Sequence, residues 1–404
     1  MSEWKECRLG DIISIKNGLP YKGEYLNKGD NYLLGMGCVS FAETFLPNGA
    51  RRYSDGGKPQ YIGKAGDIVL ATRQQSDNMP ILGMPAIIPD FFEEGKVIVG
   101  SNLYMVDNKS DVDNRFLFWL LRTPQYINHI RYSQTGTTVR MITKKDIENF
   151  TFHCPPKNQR NTISSLLWNI QDKIETNRKI NARLEELAQA LFKSWFIDFE
   201  PFGGQMPEDW KNVTLSDIGD IIGGATPSKE HSEYYAKVGN GIAWLTPKDL
   251  SETNAKFTAR GSLDITNLGY QKCSTKLIPC GSILFSSRAP IGYVSIALNE
   301  ICTNQGFKSF IPKQVGTAFS YYLLKTLTPE IENKSTGSTF KEASGSLMKS
   351  LQVFLPDKET LSRFEEICTP IFDKQRDCEI ESTRLAELRD SLLPKLMSGE
   401  LIPE

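Results

Sequence analysis

Apolar positions along the 404-residue chain follow two different rhythms. In two stretches they recur every three or four residues. Counting from Ile163, the positions Leu167, Ile170, Ile174, Asn177, Asn181, Leu184, Ala188 and Leu191 are spaced alternately by four and three, the spacing of a heptad seam along one helix face. A second series has the same spacing: Phe364, Cys368, Ile371, Gln375, Cys378, Ser382, Leu385, Arg389 and Leu392. The spacing predicts two long helices. Both seams turn polar along their middle stretch, and polar residues inside a seam give up stability to fix register and partner. Two imperfect seams in one chain are expected to pair with each other, with Asn177 and Asn181 as register devices. Asn158 and Asp357 follow prolines and read as N-caps. Pro201-Phe202-Gly203-Gly204 and Ser398-Gly399 read as stops, and Pro394 as an early kink or end of the second helix. From Asn158 to Phe196 the first helix would be about 58 Å long at 1.5 Å per residue.

Elsewhere, in residues 1–154 and 208–355, short β-like runs alternate with glycines and with one helix-like stretch each, "NRFLFWLLRTPQYINHI" and "TAFSYYLLKTL". These read as two α+β domains. Their phrases repeat. "LGDIISIKNG" at Leu9 returns as "LSDIGDIIGG" at Leu215, and "GDIVLATR" at Gly66 returns as "GSILFSSR" at Gly281. "TGTTVR" begins at residue 135 and "TGSTFK" at residue 336, a period of 201 residues. Strand-like runs closed by proline follow in both halves, then helices that share the start "RLEELAQAL" and "RLAELRDSL". The fold class is therefore α+β with an internal repeat: domain 1–154, helix 155–200, domain 208–355, helix 356–404.

Composition narrows the chemistry. A formal net charge of -1 gives no global field toward nucleic acid or an anionic membrane, so any such site is a local patch. Eight cysteines without a CxxC pair read as reduced thiols, Cys273 and Cys280 as buried ones, and the start "MSEWKECRLG" holds no apolar signal core. A cytoplasmic protein is expected, with no membrane span. Walker A is missing: Gly-Lys pairs at Gly57, Gly63 and Gly95 are followed by Pro, Ala and Val. The single Pro-Pro pair is preceded by Cys154, not by the Asn or Asp of an amino-methyltransferase. "PDFFEEGK" at Pro89 is too short to place nuclease carboxylates on separate strands and reads as a solvated turn. His129, His153 and His231 are scattered, without metal-ligand spacing. No catalytic residue and no metal or cofactor site is assigned.

The phrases "RLAELRDSLLPKLMSGEL", "RLEELAQALFKSWFIDFEPF", "GSILFSSRAPIGYVSIA" and "TGTTVR" resemble the specificity subunits of type I restriction-modification enzymes, and the resemblance covers essentially the whole chain. It implies two similar target-recognition domains, each reading one half of a bipartite DNA sequence, related by a pseudo-two-fold repeat and separated by two long antiparallel coiled-coil helices. The helices would set the gap and bind two modification subunits. Those partners would carry S-adenosylmethionine and methylate adenine, a motor and nuclease subunit joining for restriction, while this chain performs no catalysis. Bases are read in the major groove by Arg to guanine and by Gln or Asn to adenine. Arg73, Gln74, Gln75 and Asn78 in "TRQQSDN", and Ser286, Ser287 and Arg288 in "SSRAPIG", are the candidate readers. The TG loops add Thr135, Thr137, Thr138 and Arg140, with Thr336, Ser338, Thr339 and Lys341, as phosphate contacts. Two other readings stay open: the TG loops are plain turns, with Arg73 and Arg288 in structural ion pairs, or the chain is a coiled-coil scaffold with duplicated protein-binding domains.

Overall fold

Each repeat opens on a strand that returns, some 140 residues later, to pair with the strand just before its long helix. Lys5–Arg8 pairs antiparallel with Thr151–Cys154, and Lys211–Thr214 with Gln352–Leu355. In the computed structural model, which describes residues 4–74, 80–253, 255–336 and 341–402, the chain forms two compact units. One comprises Met1–Ile174 with Arg384–Glu404, the other Glu175–Thr383. The units cut across the four segments read from the sequence, because each takes part of both long helices.

In the first unit a four-stranded antiparallel sheet runs in the order Ile13–Asn17, Leu103–Asn108, Ile68–Ala71, Pro85–Ile87. Beside it lies a three-stranded sheet, Arg51–Tyr53, Leu26–Leu34, Val97–Val99. The second unit repeats this plan. Its larger sheet has the order Gly219–Gly223, Lys308–Pro312, Ile283–Ser287, Ile291–Ala297, with Phe257–Thr258 added at the edge in parallel. The echoed phrases occupy equivalent places: Leu9–Ile12 and Leu215–Ile218 are one-turn helices leading into the first strand of each sheet.

The helix-like stretches differ between the halves. In the first unit Thr123 and Pro124 divide it into Asn114–Leu120 and Pro124–Ser133, with Thr123 capping the second piece. In the second unit Thr317–Lys334 is a single helix that accommodates Pro329. Both pack the aromatic face of the stretch inward, Phe118 and Trp119 against Trp168 in one unit, Tyr321 and Tyr322 against Phe372 in the other.

The long helices span Lys157–Phe196 and Lys358–Ser398. Asp357 caps the second, accepting from Thr360 N at 2.9 Å. Asn158 does not cap the first: the helix already includes Lys157, and Arg160 N bonds back to the carbonyl of Pro156. Pro394 does not end the second helix either. Leu393, Leu396 and Met397 around it are buried in the core of the first unit, and that packing outweighs one missing backbone donor.

The seams meet antiparallel within each unit. In the second, Asn177 donates to Glu381 at 2.8 Å, while Asn181 and Gln375 exchange side-chain bonds with each other's carbonyls at 3.1 and 3.2 Å. In the first, Arg389 donates to Gln171 at 2.6 Å beneath Trp119. Ile163, Leu167, Ile170, Ile174, Phe364 and Cys368 are buried as the heptads predict. Leu184, Leu191, Ile371, Leu385 and Leu392 are half-buried. Among the described residues no helix is long and apolar enough to cross a membrane.

The cysteines depart from expectation. Cys280 is exposed and Cys273 half-buried, because Cys280 stands at a turn ahead of strand Ile283–Ser287 and Cys273 just past the short helix Asn267–Gln271.

Candidate nucleic-acid interface

In each unit an arginine follows the third strand of the larger sheet, and the TG loop returns to that same end. In the first unit Ile68–Ala71 continues into Arg73–Gln74, which pairs antiparallel with Arg140–Met141. Ile142 N bonds the carbonyl of Thr72 at 3.3 Å, and the loop closes on itself through Thr135 and Met141, which exchange backbone bonds at 3.0 and 2.8 Å. Gly136 has a φ of +92°, and a Cβ there would lie 2.2 Å from the carbonyl oxygen of Val139. Only glycine fits this turn. Thr135, Thr137 and Thr138 are exposed on it.

The second unit reproduces the closure. Glu342 N bonds Thr336 O at 2.9 Å, and Ala343 N bonds Ser287 O at 2.9 Å. Two stretches far apart in sequence are thus joined by backbone pairing in both halves. Thr336 and Lys341 lie exposed at this end, Lys341 reaching the carbonyl of Glu332 at 3.3 Å.

Side-chain placement separates the candidates. Arg73 is exposed, and no ion pair holds it among the described residues. Arg140 is half-buried. Gln74, however, is 6 % exposed and its Oε1 accepts from Leu82 N at 3.3 Å. Ser286 and Ser287 are fully buried, Ser286 Oγ bridging Pro290 O and Tyr293 N at 2.8 Å each. All three side chains point inward and not to the surface: Gln74 faces opposite to Arg73 on its strand, and Ser286 and Ser287 lie in a strand buried along its whole length, where the register shifts between Phe285 and Ser287. Gln75, Asn78, Ser338 and Thr339 lie outside the described residues.

Electrostatically the two ends differ. Arg288 pairs with Glu342 at 3.4 Å, and Lys308 joins the same carboxylate at 3.5 Å. One repeat period earlier, Met141 stands in place of Glu342 and is exposed. The ion-pair reading therefore holds for Arg288, while among the described residues Arg73 has no such partner. Glu342 went unnoticed in the sequence although it directly follows the TG phrase. A comparison of "VRM" with "FKE" would have found it. Gln305, exposed and bonded to the Thr226 hydroxyl, also sits here, since Ser287 N bonds Gly306 O at 2.7 Å. Its counterpart by this backbone pattern is Ser101, next to Asn102, whose carbonyl Thr72 N bonds at 3.2 Å.

The histidines stand elsewhere. His129 lies against the Asp146 carbonyl and His231 against Glu233.

Residues 1–186 and 207–389 each match the model of the type I restriction modification DNA specificity domain. The chain is 27% identical to the type I restriction enzyme HindI specificity subunit of Haemophilus influenzae, over 99% of this chain and 100% of that one. It is 41% identical to the MjaIX specificity subunit of Methanocaldococcus jannaschii over 197 residues, 46% of this chain and 44% of the relative. In fold it is similar to the crystal structure of a type I restriction-modification S subunit from M. genitalium, with a TM-score of 0.64 at 16% identity, over 99% of this chain and 96% of that one. The chain belongs to the type I restriction-modification DNA specificity subunits, the non-catalytic members of these systems that supply DNA sequence recognition.

Proposed function

We propose that each unit reads one half of a bipartite DNA target with the sheet end where the TG loop meets the arginine strand. The two long helices set the unread gap and bind two methyltransferase subunits. The observation that carries this reading is the backbone pairing just described, which puts a candidate base reader and a candidate phosphate loop side by side in both halves. The exposed hydroxyls of Thr135, Thr137 and Thr138 on a glycine-bearing turn suit phosphate oxygens, while the solvent-facing Arg73 suits a guanine edge. A 40-residue helix is about 60 Å long and parallels about 18 base pairs at ~3.4 Å each. That scale fits two short half-sites with a gap between them. S-adenosylmethionine would reside on the partner subunits, with double-stranded DNA as the shared ligand and a restriction subunit added for cleavage.

Mapping of methylated adenines and footprinting of the assembled complex test the proposal. Two protected patches flanking an unread gap are expected. One continuous site would overturn it. Inserting a whole heptad into both helices is expected to lengthen the gap and leave the bases read in each half unchanged.

Glu342 offers a graded check. Glu342→Gln removes the carboxylate that occupies Arg288 and Lys308, so binding by the complex is expected to tighten and its log-log salt slope to steepen by about 1, the change for one added phosphate contact. Fluorescence anisotropy across a salt series reads both. An unchanged slope would place Arg288 and Lys308 away from the DNA.

A further inference from the structure

Lys256 is 8 % exposed, and lysine is almost never buried without partners. Its Nζ donates to Glu185 at 2.7 Å, to Gln375 at 2.8 Å and to the Tyr322 hydroxyl at 3.2 Å, and lies 3.5 Å from the centroid of the Phe372 ring. The other Glu185 oxygen takes Lys325 at 2.8 Å. Burial lowers Lys256 to about 8 against the pull of Glu185, and although burial works to raise Glu185, the two lysines hold it down to about 2. The backbone is tied as well. Lys256 N and Phe257 N each donate to Glu379 at 3.3 Å. Lys256 directly precedes the edge strand Phe257–Thr258 of the large sheet. A single residue thus links that sheet edge to both helices, to Glu185 on the first and to Gln375 and Glu379 on the second.

The first unit builds this place differently. Ile87 N bonds Thr44 O at 3.1 Å as Ile296 N bonds Lys256 O at 2.8 Å, so Thr44 is the counterpart of Lys256. A hydroxyl stands there instead of a cation. The segment before it is held by Arg122, which donates to the carbonyls of Ser40 at 2.6 Å, Phe41 at 2.9 Å and Glu43. Arg122 belongs to the globular part, not to a long helix.

A buried charge network is a poor way to gain stability, since desolvation offsets the attraction and apolar side chains of similar volume do as well. Its distinctive property is direction: three short bonds to Nζ and two backbone bonds to Glu379 are all satisfied together in one orientation of the sheet on the helices. We infer that Lys256 is a positioning residue that fixes the orientation of the second recognition unit on the helix pair, and thereby restricts the complex to one gap length. This inference rests on the half-site reading proposed above and adds the residue that enforces the spacing.

The test uses the full chain assembled with its methyltransferase subunits and duplexes whose gap is shortened or lengthened by one base pair. The unaltered complex should methylate one gap length preferentially. Lys256→Met keeps the stem against the aromatic rings and removes the bonds, so discrimination against neighbouring gaps should fall about tenfold, the scale set by charge-assisted hydrogen bonds, with the bases of both half-sites unchanged. Lys256→Arg should restore the narrow profile. Where Lys256→Met fails to fold, Glu379→Ala removes the two backbone ties and should broaden the profile in the same way. A gap profile like that of the unaltered complex in either variant, whatever its overall activity, would overturn the inference, since a merely structural role lowers yield without changing which gap is accepted. An unaltered complex that shows no gap at all would instead sink the half-site reading itself.

Discussion

Phe364→Ala is expected to cost about 3–5 kcal/mol of stability, the range for emptying a buried phenylalanine site. Phe364 is fully buried, and the rings of Phe192, Trp195 and Phe196 lie with centroids 4.9 to 6.0 Å away. All three come from the first long helix. The space is also closed from the globular side, where Phe319 meets Phe196 edge-to-face at 4.9 Å. Phe196→Ala, although it lies in the first repeat, should therefore destabilise the second unit by a similar amount. Urea unfolding followed by tryptophan fluorescence reads the loss. Leu187→Ala, on an exposed helix position, should change stability by no more than about 0.5 kcal/mol. Equal effects at Phe364 and Leu187 would contradict the core assigned here.

Arg73→Ala is expected to lower discrimination at a single base pair of one half-site by about 1–3 kcal/mol, the worth of one bidentate arginine-guanine contact, and to leave the other half-site untouched. Arg73 has the exposure for such a contact and carries no ion pair among the described residues. Arg140→Ala should act differently. Its place on the TG loop predicts weaker binding to all sequences and a salt slope shallower by about 1. Arg288→Ala should have a smaller effect than Arg73→Ala, because Glu342 already holds that guanidinium. Methylation of a panel of single-base half-site variants separates these outcomes. A uniform loss across the panel for Arg73→Ala would remove it from base reading.

Much of the architecture was legible because it rests on period. The alternation of four and three residues from Ile163 and from Phe364 survives its polar interruptions. Those interruptions proved to be cross-helix bonds, such as the Asn181 and Gln375 pair. The duplicated TG phrase marked equivalent closures in both units. Phase within a strand was not legible in the same way. "TRQQ" reads as a uniform polar run, yet Arg73 faces out and Gln74 in, and one residue of shift exchanges the faces. Ser286 and Ser287 could have been placed by aligning them with Ala71 and Thr72, both buried in the first unit. At Pro394 local propensity points to a helix end, and the packing of Leu393, Leu396 and Met397 around it overrides that signal. Lys256 owes its role to partners 66 to 123 residues distant, which no local pattern encodes.

The core of the first unit contains Leu393, Leu396 and Met397 from the second repeat, and the core of the second contains Ala188, Phe192 and Phe196 from the first. This reciprocal loan constrains how such a gene can change. A recombination event that imports a foreign segment for residues 1–154 brings new loops at the sheet end, but its foot must still fit three side chains written in the part of the gene that was not exchanged. Selection can diversify the sheet ends freely while the helix-facing surfaces stay interchangeable. On the half-site reading proposed above, new targets would arise by exchanging whole reading heads onto a common mount.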